Sequence, residues 1–343
     1  MNSKFSFGYR WLIGGSLGMA LFTVGVSRGT AQTIDPFYAG NYSFIDLGQA
    51  LTVPPSYGGL TFKAGDPNTL LLGGGANVTS AGIYALGLTR DSGNHVTGFS
   101  GISATVVSAN SPNGGIDGGL AYGPGNVIFY TSYSDNYIGQ IKPGSLGPDK
   151  LIDLSPLGLS SSVGALAFVP NTFGGGGHLK ILSFDGDKWY DATVTPDGSG
   201  TFNITAVGPA LSLPASNGLE IQAGPEGVIF IPAGNPLFSA NSVLIAEWGN
   251  GSVESGFITS YEVDANGDPI LGTRKVFMSG LEGAQGAAID PLTGDFLFST
   301  FGTLNDHVIA VHGFTTVVPE PSSLVLLGLP LAAACAWRRK RHA

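Results

Sequence analysis

Short β-type segments recur along this chain, and the repeat that they form is the strongest constraint on its fold. Each repeat opens with a glycine or alanine followed by apolar or aromatic residues. The five openings are Gly59-Leu60-Thr61-Phe62, Gly119-Leu120-Ala121-Tyr122, Ala165-Leu166-Ala167-Phe168, Gly227-Val228-Ile229-Phe230 and Gly286-Ala287-Ala288-Ile289. Their last residues lie 60, 46, 62 and 59 positions apart. Repeats of this length indicate four-stranded propeller blades.

The remaining strands of each blade are predicted from apolar runs separated by turn residues. A fourth strand is predicted after each of the first four repeats, at 102–107, 150–154, 202–207 and 273–277. The fifth repeat ends near Phe314 without one, so we expect the N-terminal run from Tyr42 to Leu47 to complete the last blade and remove an open sheet edge. The sequence therefore predicts an all-β fold, a β-propeller with five four-stranded blades favoured. Six or seven blades are the alternatives, and a sandwich or β-helix is a weaker one.

The C-terminal tail has three parts in a fixed order. Pro319, Glu320 and Pro321 precede an apolar run over 322–337, and a basic stop follows it, formed by Arg338, Arg339, Lys340 and Arg341. The run predicts a single apolar helix of about 24 Å, shorter than a hydrocarbon core of roughly 30 Å. Pro330 interrupts it, which favours transient over durable anchoring. The cations hold the end on the cytoplasmic side. An ordinary single-span anchor is the alternative.

This tail resembles the PEP-CTERM sorting signal of Gram-negative bacteria. The likeness rests on Pro319, Glu320 and Pro321, the apolar stretch and the basic cluster, and it covers about the last 25 residues. The resemblance implies export, processing near the Pro-Glu-Pro by a membrane-embedded exosortase, and release or retention at the cell surface, often beside exopolysaccharide. The signal predicts where the protein is delivered and does not indicate the activity of the domain that precedes it.

The N-terminus predicts a secretory signal peptide over residues 1–31. Lys4 and Arg10 give the positive start, 12–26 the apolar region, and Ala31 and Gln32 flank the predicted cleavage site. An N-terminal anchor is the alternative. The predicted domains are therefore a signal peptide (1–31), a propeller-like domain (32–318) and a sorting signal with its transmembrane segment and basic tail (319–343).

The predicted mature domain is strongly acidic. Seven of the chain's 15 basic residues lie in the two terminal segments, but only one of its 24 acidic residues does, so 32–318 carries a net formal charge of −15. Such a surface repels nucleic acid and anionic headgroups, which excludes them as expected partners. The single cysteine, Cys335, lies in the tail, so the mature domain has no disulfide and depends on its core.

The repeats also resemble NHL/YncE-like propellers over about residues 59–314. The repeats here lack the regular aspartate that follows the second strand in that pattern. Only Glu247 stands near that place, and Tyr133, Phe184 and Phe301 occupy the corresponding neighbourhoods in other repeats.

Motifs for metal binding or catalysis are weak in this sequence. Asp264 to Asp268 begins like a calcium loop, but Lys275 stands where a bidentate glutamate is required, so a turn is favoured. Asp185 to Asp187 also predicts a hairpin turn. No two histidines have a zinc-ligand spacing with a third ligand nearby. Glu226 is an acid at the fourth opening, where the other repeats have glycine or apolar residues. We therefore predict no catalytic residues and no cofactor, with Ca²⁺ as a weak alternative.

Two functions fit these observations. The favoured one is an exported, non-catalytic propeller that binds an extracellular glycan or peptide or forms part of the cell-surface matrix. Its expected processing partner is an exosortase-type enzyme, with transient inner-membrane anchoring before delivery to the surface or medium. The alternative is a metal-dependent propeller hydrolase or lyase. Its nearest candidate residues would be Asn217, Glu220, Glu247 and Asp290.

Overall fold

The structure, a computed structural model, describes residues 32–215, 223–249, 255–302 and 306–315. In this part of the chain there are 22 β-strands and three short 3₁₀ turns. The strands are β1 (Thr33–Ile34), β2 (Ser43–Asp46), β3 (Leu60–Lys63), β4 (Asp66–Gly74), β5 (Gly82–Arg90), β6 (Val96–Ser108), β7 (Gly115–Tyr122), β8 (Ile128–Tyr133), β9 (Tyr137–Ile141), β10 (Lys150–Asp153), β11 (Val163–Phe168), β12 (Leu179–Ser183), β13 (Lys188–Pro196), β14 (Phe202–Val207), β15 (Leu211–Ser212), β16 (Pro225–Ile231), β17 (Ser242–Glu247), β18 (Gly256–Glu262), β19 (Lys275–Leu281), β20 (Ala284–Ile289), β21 (Phe296–Thr300) and β22 (Val308–His312).

These strands form five antiparallel sheets, which are the five blades of a β-propeller. Blade 1 is β3-β4-β5-β6, blade 2 is β7-β8-β9-β10 and blade 3 is β11-β12-β13-β14, with β15 paired to β13. Blade 4 is β16-β17-β18-β19 with β1 added outside β19, and blade 5 is β20-β21-β22-β2. The favoured prediction of five four-stranded blades is confirmed. The extra strands β1 and β15 have only two residues each, which is too short for a sequence pattern to reveal.

The predicted closure of the ring is confirmed by the pairing of β2. Ser43 lies opposite His312 and Asp46 opposite Ile309, so the N-terminal strand is the outermost strand of blade 5. Beside it, Tyr42 packs against Phe277 and Phe314 and donates a hydrogen bond from its hydroxyl to the Pro236 carbonyl (2.6 Å). This closure fixes the N-terminal segment against blades 4 and 5.

Five apolar clusters hold the blades together, one between each pair of neighbours. Strands in such a ring are covered on both faces, because each blade packs against a blade on either side. Continuous buried runs result, as in β17 and β21, where every residue is buried. This explains why the sequence shows apolar blocks where a one-sided sheet would show alternation.

The first strand of each blade lies at the centre of the ring. β3, β7, β11, β16 and β20 contact one another in turn around the axis. The approach is so close that a Cβ added at Gly118 would overlap the main-chain oxygen of Glu226, and one at Gly227 would overlap that of Gln285. Glycine is therefore required at these two positions, where neighbouring central strands approach each other closely.

The two predicted targeting segments, 1–31 and 319–343, lie outside the described residues, as does the predicted C-terminal apolar helix. Among the residues that are described, we find no helix with the length and apolar character needed to span a membrane.

Candidate functional site

The start of the central strands carries polar side chains in only some blades. One position before each repeat opening, the five blades have Gly58, Gly118, Gly164, Glu226 and Gln285. The Glu226 carboxyl occupies the space that two of these glycines leave, since a Cβ at Gly118 or Gly164 would lie 2.7 or 3.0 Å from its Oε2. Asp117, next to Gly118, is buried beside it. The glycines thus make room for a polar cluster on the propeller axis.

Asp117 and Glu226 form a buried pair of carboxyls. They are 1% and 3% exposed, and Gln285 Nε2 donates a hydrogen bond to Asp117 Oδ1 (2.8 Å). Burial raises the pKa of Asp117 to about 8. Burial, and then the neighbouring Asp117 carboxylate, raise the pKa of Glu226 well above its ordinary value. Like charges this close cannot both ionise, so the pair retains a proton at neutral pH.

Four aromatic side chains form a wall above this pair. Tyr133, Phe184, Trp248 and Phe301 stand at or directly after the second strand of blades 2, 3, 4 and 5. Consecutive rings are in contact around the axis, with centroids 6.3, 5.8 and 6.5 Å apart. Trp248 Nε1 donates to the Phe301 carbonyl (2.9 Å), which fixes the indole ring. In blade 1, Asn77 follows the second strand instead.

The aromatic wall and the polar side chains below it, among them Glu226, enclose one cavity, which we call the mouth. Its lining consists of Asn77, Tyr133, Phe184, Glu226, Trp248, Gln285 and Phe301, and its volume is about 410 Å³. Asn77 Oδ1, Glu226 Oε2 and Gln285 Oε1 are buried without a hydrogen-bond partner among the described residues. Such atoms are costly to bury unpaired. The mouth therefore offers hydrogen-bonding groups at its floor and apolar surface along its sides, as ligand sites do.

The sequence revealed some residues of this site but did not predict that they come together. Tyr133, Phe184 and Phe301 were noticed as equivalent positions, and Glu226 as an isolated acid, but the sequence predicted no common site for them. Asp117, Gln285 and Asn77 were missed. The available signal was position: Asp117 and Gln285 stand within two residues of a repeat opening, where neighbouring strands meet at the axis.

The residues suggested for a metal-dependent enzyme do not line the mouth where they are described. The Glu247 carboxylate accepts hydrogen bonds from Thr259 Oγ1 (2.6 Å) and Arg274 Nη2 (3.0 Å). Asp290 forms a two-pronged ion pair with Arg90. Asn217 and Glu220 lie outside the described residues, as do Ala31, the Pro-Glu-Pro motif and the basic stop, while Gln32 is the first described residue.

Both candidate calcium loops are turns. Asp264 Oδ1 accepts the main-chain N–H groups of Asn266 (2.8 Å) and Asp268 (3.0 Å), which closes the loop between β18 and β19. Asp268 is committed to Lys180 Nζ, 2.7 Å away. Asp187 closes the β12–β13 hairpin in a left-handed conformation (φ 48°) and accepts Gly224 N–H (2.9 Å). The predicted turns agree with these hydrogen bonds.

One histidine cluster could not be recognised from sequence spacing. The sequence showed no histidine pair with a nearby third ligand, yet His95 and His312 meet at Asp295. They are 217 positions apart in the chain, a separation that local spacing cannot reveal. The other described histidines, His178 and His307, lie near the surface and pair with Asp191 and Asp46 respectively.

Comparison with known protein families identifies a sorting signal in this chain. Residues 317–340 match the model of the PEP-CTERM protein-sorting motif, which confirms the resemblance seen in the sequence. The motif implies export through membrane sorting, with an exosortase-type processing enzyme as partner. The fold and the tail together define a sorted extracellular protein with a five-bladed β-propeller domain.

No curated protein matches this chain. Solved structures resemble it only distantly. The PQQ domain of pyranose dehydrogenase from Coprinopsis cinerea is 8% identical, with 82% of this chain and 97% of that chain covered and a TM-score of 0.43. Myxococcus xanthus glutaminyl cyclase is 12% identical, with 80% and 97% covered and a TM-score of 0.42. The β-propeller domain of Myceliophteria thermophila Cps50 is 8% identical, with 75% and 70% covered and a TM-score of 0.34.

Proposed function

We propose that this protein is an exported, non-catalytic carbohydrate-binding propeller that works at the cell surface. The observation that carries the proposal is the mouth: four aromatic rings from four successive blades stand above a buried, hydrogen-bonding floor. The position of the domain outside the cell follows from the sorting motif. We place it on the surface beside exopolysaccharide, after transient anchoring of its apolar segment in the inner membrane.

The chemistry of a sugar suits both parts of the mouth. One face of a pyranose ring consists of C–H groups, which pack on aromatic rings, and its hydroxyls both donate and accept hydrogen bonds. Asn77 Oδ1 and Gln285 Oε1 are acceptors without a partner among the described residues, and they suit hydroxyl donors. The half-buried rings supply contact area at a small entropy cost. Few polar groups with aromatic walls are typical of a pre-formed small-molecule site.

The charge of the domain narrows the class of sugar. A net formal charge of −15 over residues 32–318 repels uronic acids and other anionic saccharides. The floor holds a proton, so it carries less negative charge than two ionised carboxylates would. We therefore propose a neutral saccharide as the ligand.

A hydrolase or lyase is the second candidate function. The observation that favours it is Glu226, a carboxyl that burial keeps protonated and that borders a cavity, as a general acid does. A binding protein and an enzyme with this site differ in one outcome, which is whether the bound saccharide is recovered unchanged.

Tryptophan fluorescence tests the proposal. The predicted mature domain contains two tryptophans, Trp189 in the core (1% exposed) and Trp248 in the mouth. Titration with a panel of neutral oligosaccharides should change the Trp248 signal and saturate. Trp248→Ala lacks this reporter, so its affinity is measured by calorimetric titration, and binding should weaken by about 2 kcal/mol, roughly thirtyfold, as loss of a central aromatic anchor does. Phe37→Ala is the matched control, because Phe37 is an exposed aromatic (50%) outside the mouth.

The proposal fails if no neutral saccharide binds, or if Trp248→Ala binds the ligand as tightly as the wild type. Chromatography of the recovered ligand separates the two candidate functions. If the ligand is degraded by the wild type but not by Glu226→Gln, the protein is an enzyme and the non-catalytic proposal is wrong. Fractionation tests the location, since an intact, unprocessed chain in the cytosol would contradict export.

A further inference from the structure

A second cluster of polar side chains lies at the end of the blades opposite the mouth, which we call the base. β21 runs from the base towards Phe301 at the mouth, and Asp295 stands directly before its first residue. His312 is the last residue of β22, and His95 lies in the turn between β5 and β6. The cluster therefore joins blade 1 to blade 5, beside the strand β2 that closes the ring.

The three side chains converge on one point. His95 Nδ1 is 2.7 Å and His312 Nε2 is 3.8 Å from the same oxygen of Asp295, Oδ2. The two imidazole rings are stacked, with centroids 4.8 Å apart and planes inclined by 27°. One ligating atom from each residue lies within 4.8 Å of the other two. In the described part of the chain, no other group of three such side chains meets in this way.

Two atoms in this cluster have no hydrogen-bond partner among the described residues. They are Asp295 Oδ1, in a side chain with no solvent exposure, and His312 Nε2, which is also buried. The pairs at His178 and His307 are different, because in each of them one histidine faces one carboxylate at 2.9 or 2.7 Å. An ordinary histidine–aspartate pair explains those two sites and leaves the third incomplete.

Two imidazoles and one carboxylate are a donor set for zinc. Zn²⁺ lies about 2.0–2.2 Å from nitrogen and oxygen ligands, which places tetrahedral ligands roughly 3.3 Å apart. The observed separations of 2.7 and 3.8 Å lie on either side of that value, so small rotations of the rings admit the ion. Calcium does not fit, because it takes oxygen ligands. His95 and His312 are 36% and 24% exposed, which leaves a side for water as the fourth ligand.

We propose that His95, Asp295 and His312 form a Zn²⁺ site that fastens blade 5 to blade 1 at the base. An exported domain without a disulfide gains from such a cross-link, since its only cysteine lies in the sorting tail. The ion binds the closed ring and not the open chain, so its binding energy adds to the stability of the closed state. His312 ends β22, the last strand among the described residues, so the ion also holds the C-terminal end of blade 5.

Calorimetric titration with ZnCl₂ tests the site. The purified protein is stripped with EDTA and dialysed, and Zn²⁺ should then bind with one ion per chain and a Kd in the micromolar range or below. The melting temperature should rise with Zn²⁺ and fall again with EDTA. Co²⁺ used in place of Zn²⁺ should give the visible absorption of a tetrahedral nitrogen–oxygen site. Absence of saturable binding below about 1 mM Zn²⁺ overturns the proposal.

Substitutions test whether the Zn²⁺ ion binds at this cluster. His95→Gln and Asp295→Asn should each weaken Zn²⁺ binding at least about tenfold. His178→Gln and His307→Gln are matched controls, since each removes a histidine from a histidine–aspartate pair elsewhere, and they should leave the Kd within about twofold. Zn²⁺ binding that is lost equally in the controls, or that survives in both cluster variants, overturns the proposal. Circular dichroism shows that each variant is folded, and the wild-type titration decides the matter if one is not.

Discussion

The mouth and the base of this propeller are built by different rules. At the mouth, equivalent positions of successive blades carry related side chains, so that four aromatic residues form an arc. At the base, blades are joined by unique pairs such as Arg90 with Asp290 and Lys180 with Asp268. The repeat therefore explains the mouth, whereas each contact at the base has its own pair of partners.

The two ends also treat charge differently. The mouth buries two acids beside each other, and burial raises the pKa of both, so that the pair retains a proton at neutral pH. The base buries Asp290 against Arg90 and places the fully buried Lys180 between Asp191 and Asp268. Neutralisation by a proton responds to pH within the physiological range. Neutralisation by arginine or lysine does not.

The largest expected effect breaks an ion pair at the base. Asp290 has no solvent exposure and Arg90 is 9% exposed, so Arg90→Met leaves a buried, uncompensated carboxylate. We expect a loss of about 3–5 kcal/mol in the free energy of unfolding, measured in urea. The double variant Arg90→Met/Asp290→Leu should recover most of it. The matched control is Lys63→Met, which removes an exposed pair with Asp66 (3.9 Å) and should cost less than about 1 kcal/mol.

The second prediction concerns pH at the mouth. The pKa of Asp117 is about 8 in the folded chain, above its value in an unfolded chain, so the folded state holds more protons between about pH 4 and pH 8. The free energy of unfolding should therefore fall as pH rises through that window, by about 1.4 kcal/mol per pH unit for each proton. Asp117→Asn should reduce this slope and be more stable than the wild type above pH 8.

Asp66→Asn is the control for the pH experiment. The hydroxyl of Thr69 lowers the pKa of Asp66, so its contribution is present above the ordinary carboxyl range and disappears only in acid. Urea unfolding of all three proteins between pH 5 and pH 9 makes the comparison. A wild-type slope that Asp117→Asn leaves unchanged would contradict the assignment of the proton to the mouth.

The smallest expected effect tests ring closure at the base. Tyr42→Phe removes the hydroxyl that bonds the Pro236 carbonyl at 2.6 Å and leaves the aromatic packing intact. The expected loss is about 1 kcal/mol, or a few degrees in melting temperature. Tyr137→Phe is the control, since Tyr137 lies on β9, far from the closing strand. Equal losses in the two variants would show that the closing segment has no special weight.

The architecture could be predicted from the sequence because each blade is formed mainly by strands that follow one another in the chain. Glycine at the repeat openings, apolar runs and turn residues predicted the inner strands and the closing strand from Tyr42 to Leu47, and β2 confirmed that closure. The signal peptide, the exact processing positions and the domain limits remain predictions. The sorting motif was readable because its three parts are contiguous.

The site was harder to predict because it is assembled across blades. Asp117 and Glu226 are 109 positions apart, and they form a pair only because glycines elsewhere in the ring leave space for them. The base is harder still. His95 and Asp295 are 200 positions apart, and the sequence around one residue does not predict its contact with the other. Contacts between blades can be predicted only after the number of blades, and hence which blades are neighbours, is known.

The position of β2 determines when the ring can close during synthesis and folding of the chain. This strand precedes the inner strands of all five blades in the chain, but its partner β22 follows them. Until that late strand emerges, two unpaired sheet edges stay open and the circle has a gap. The ring can therefore close only after β22, the partner of β2, has been made.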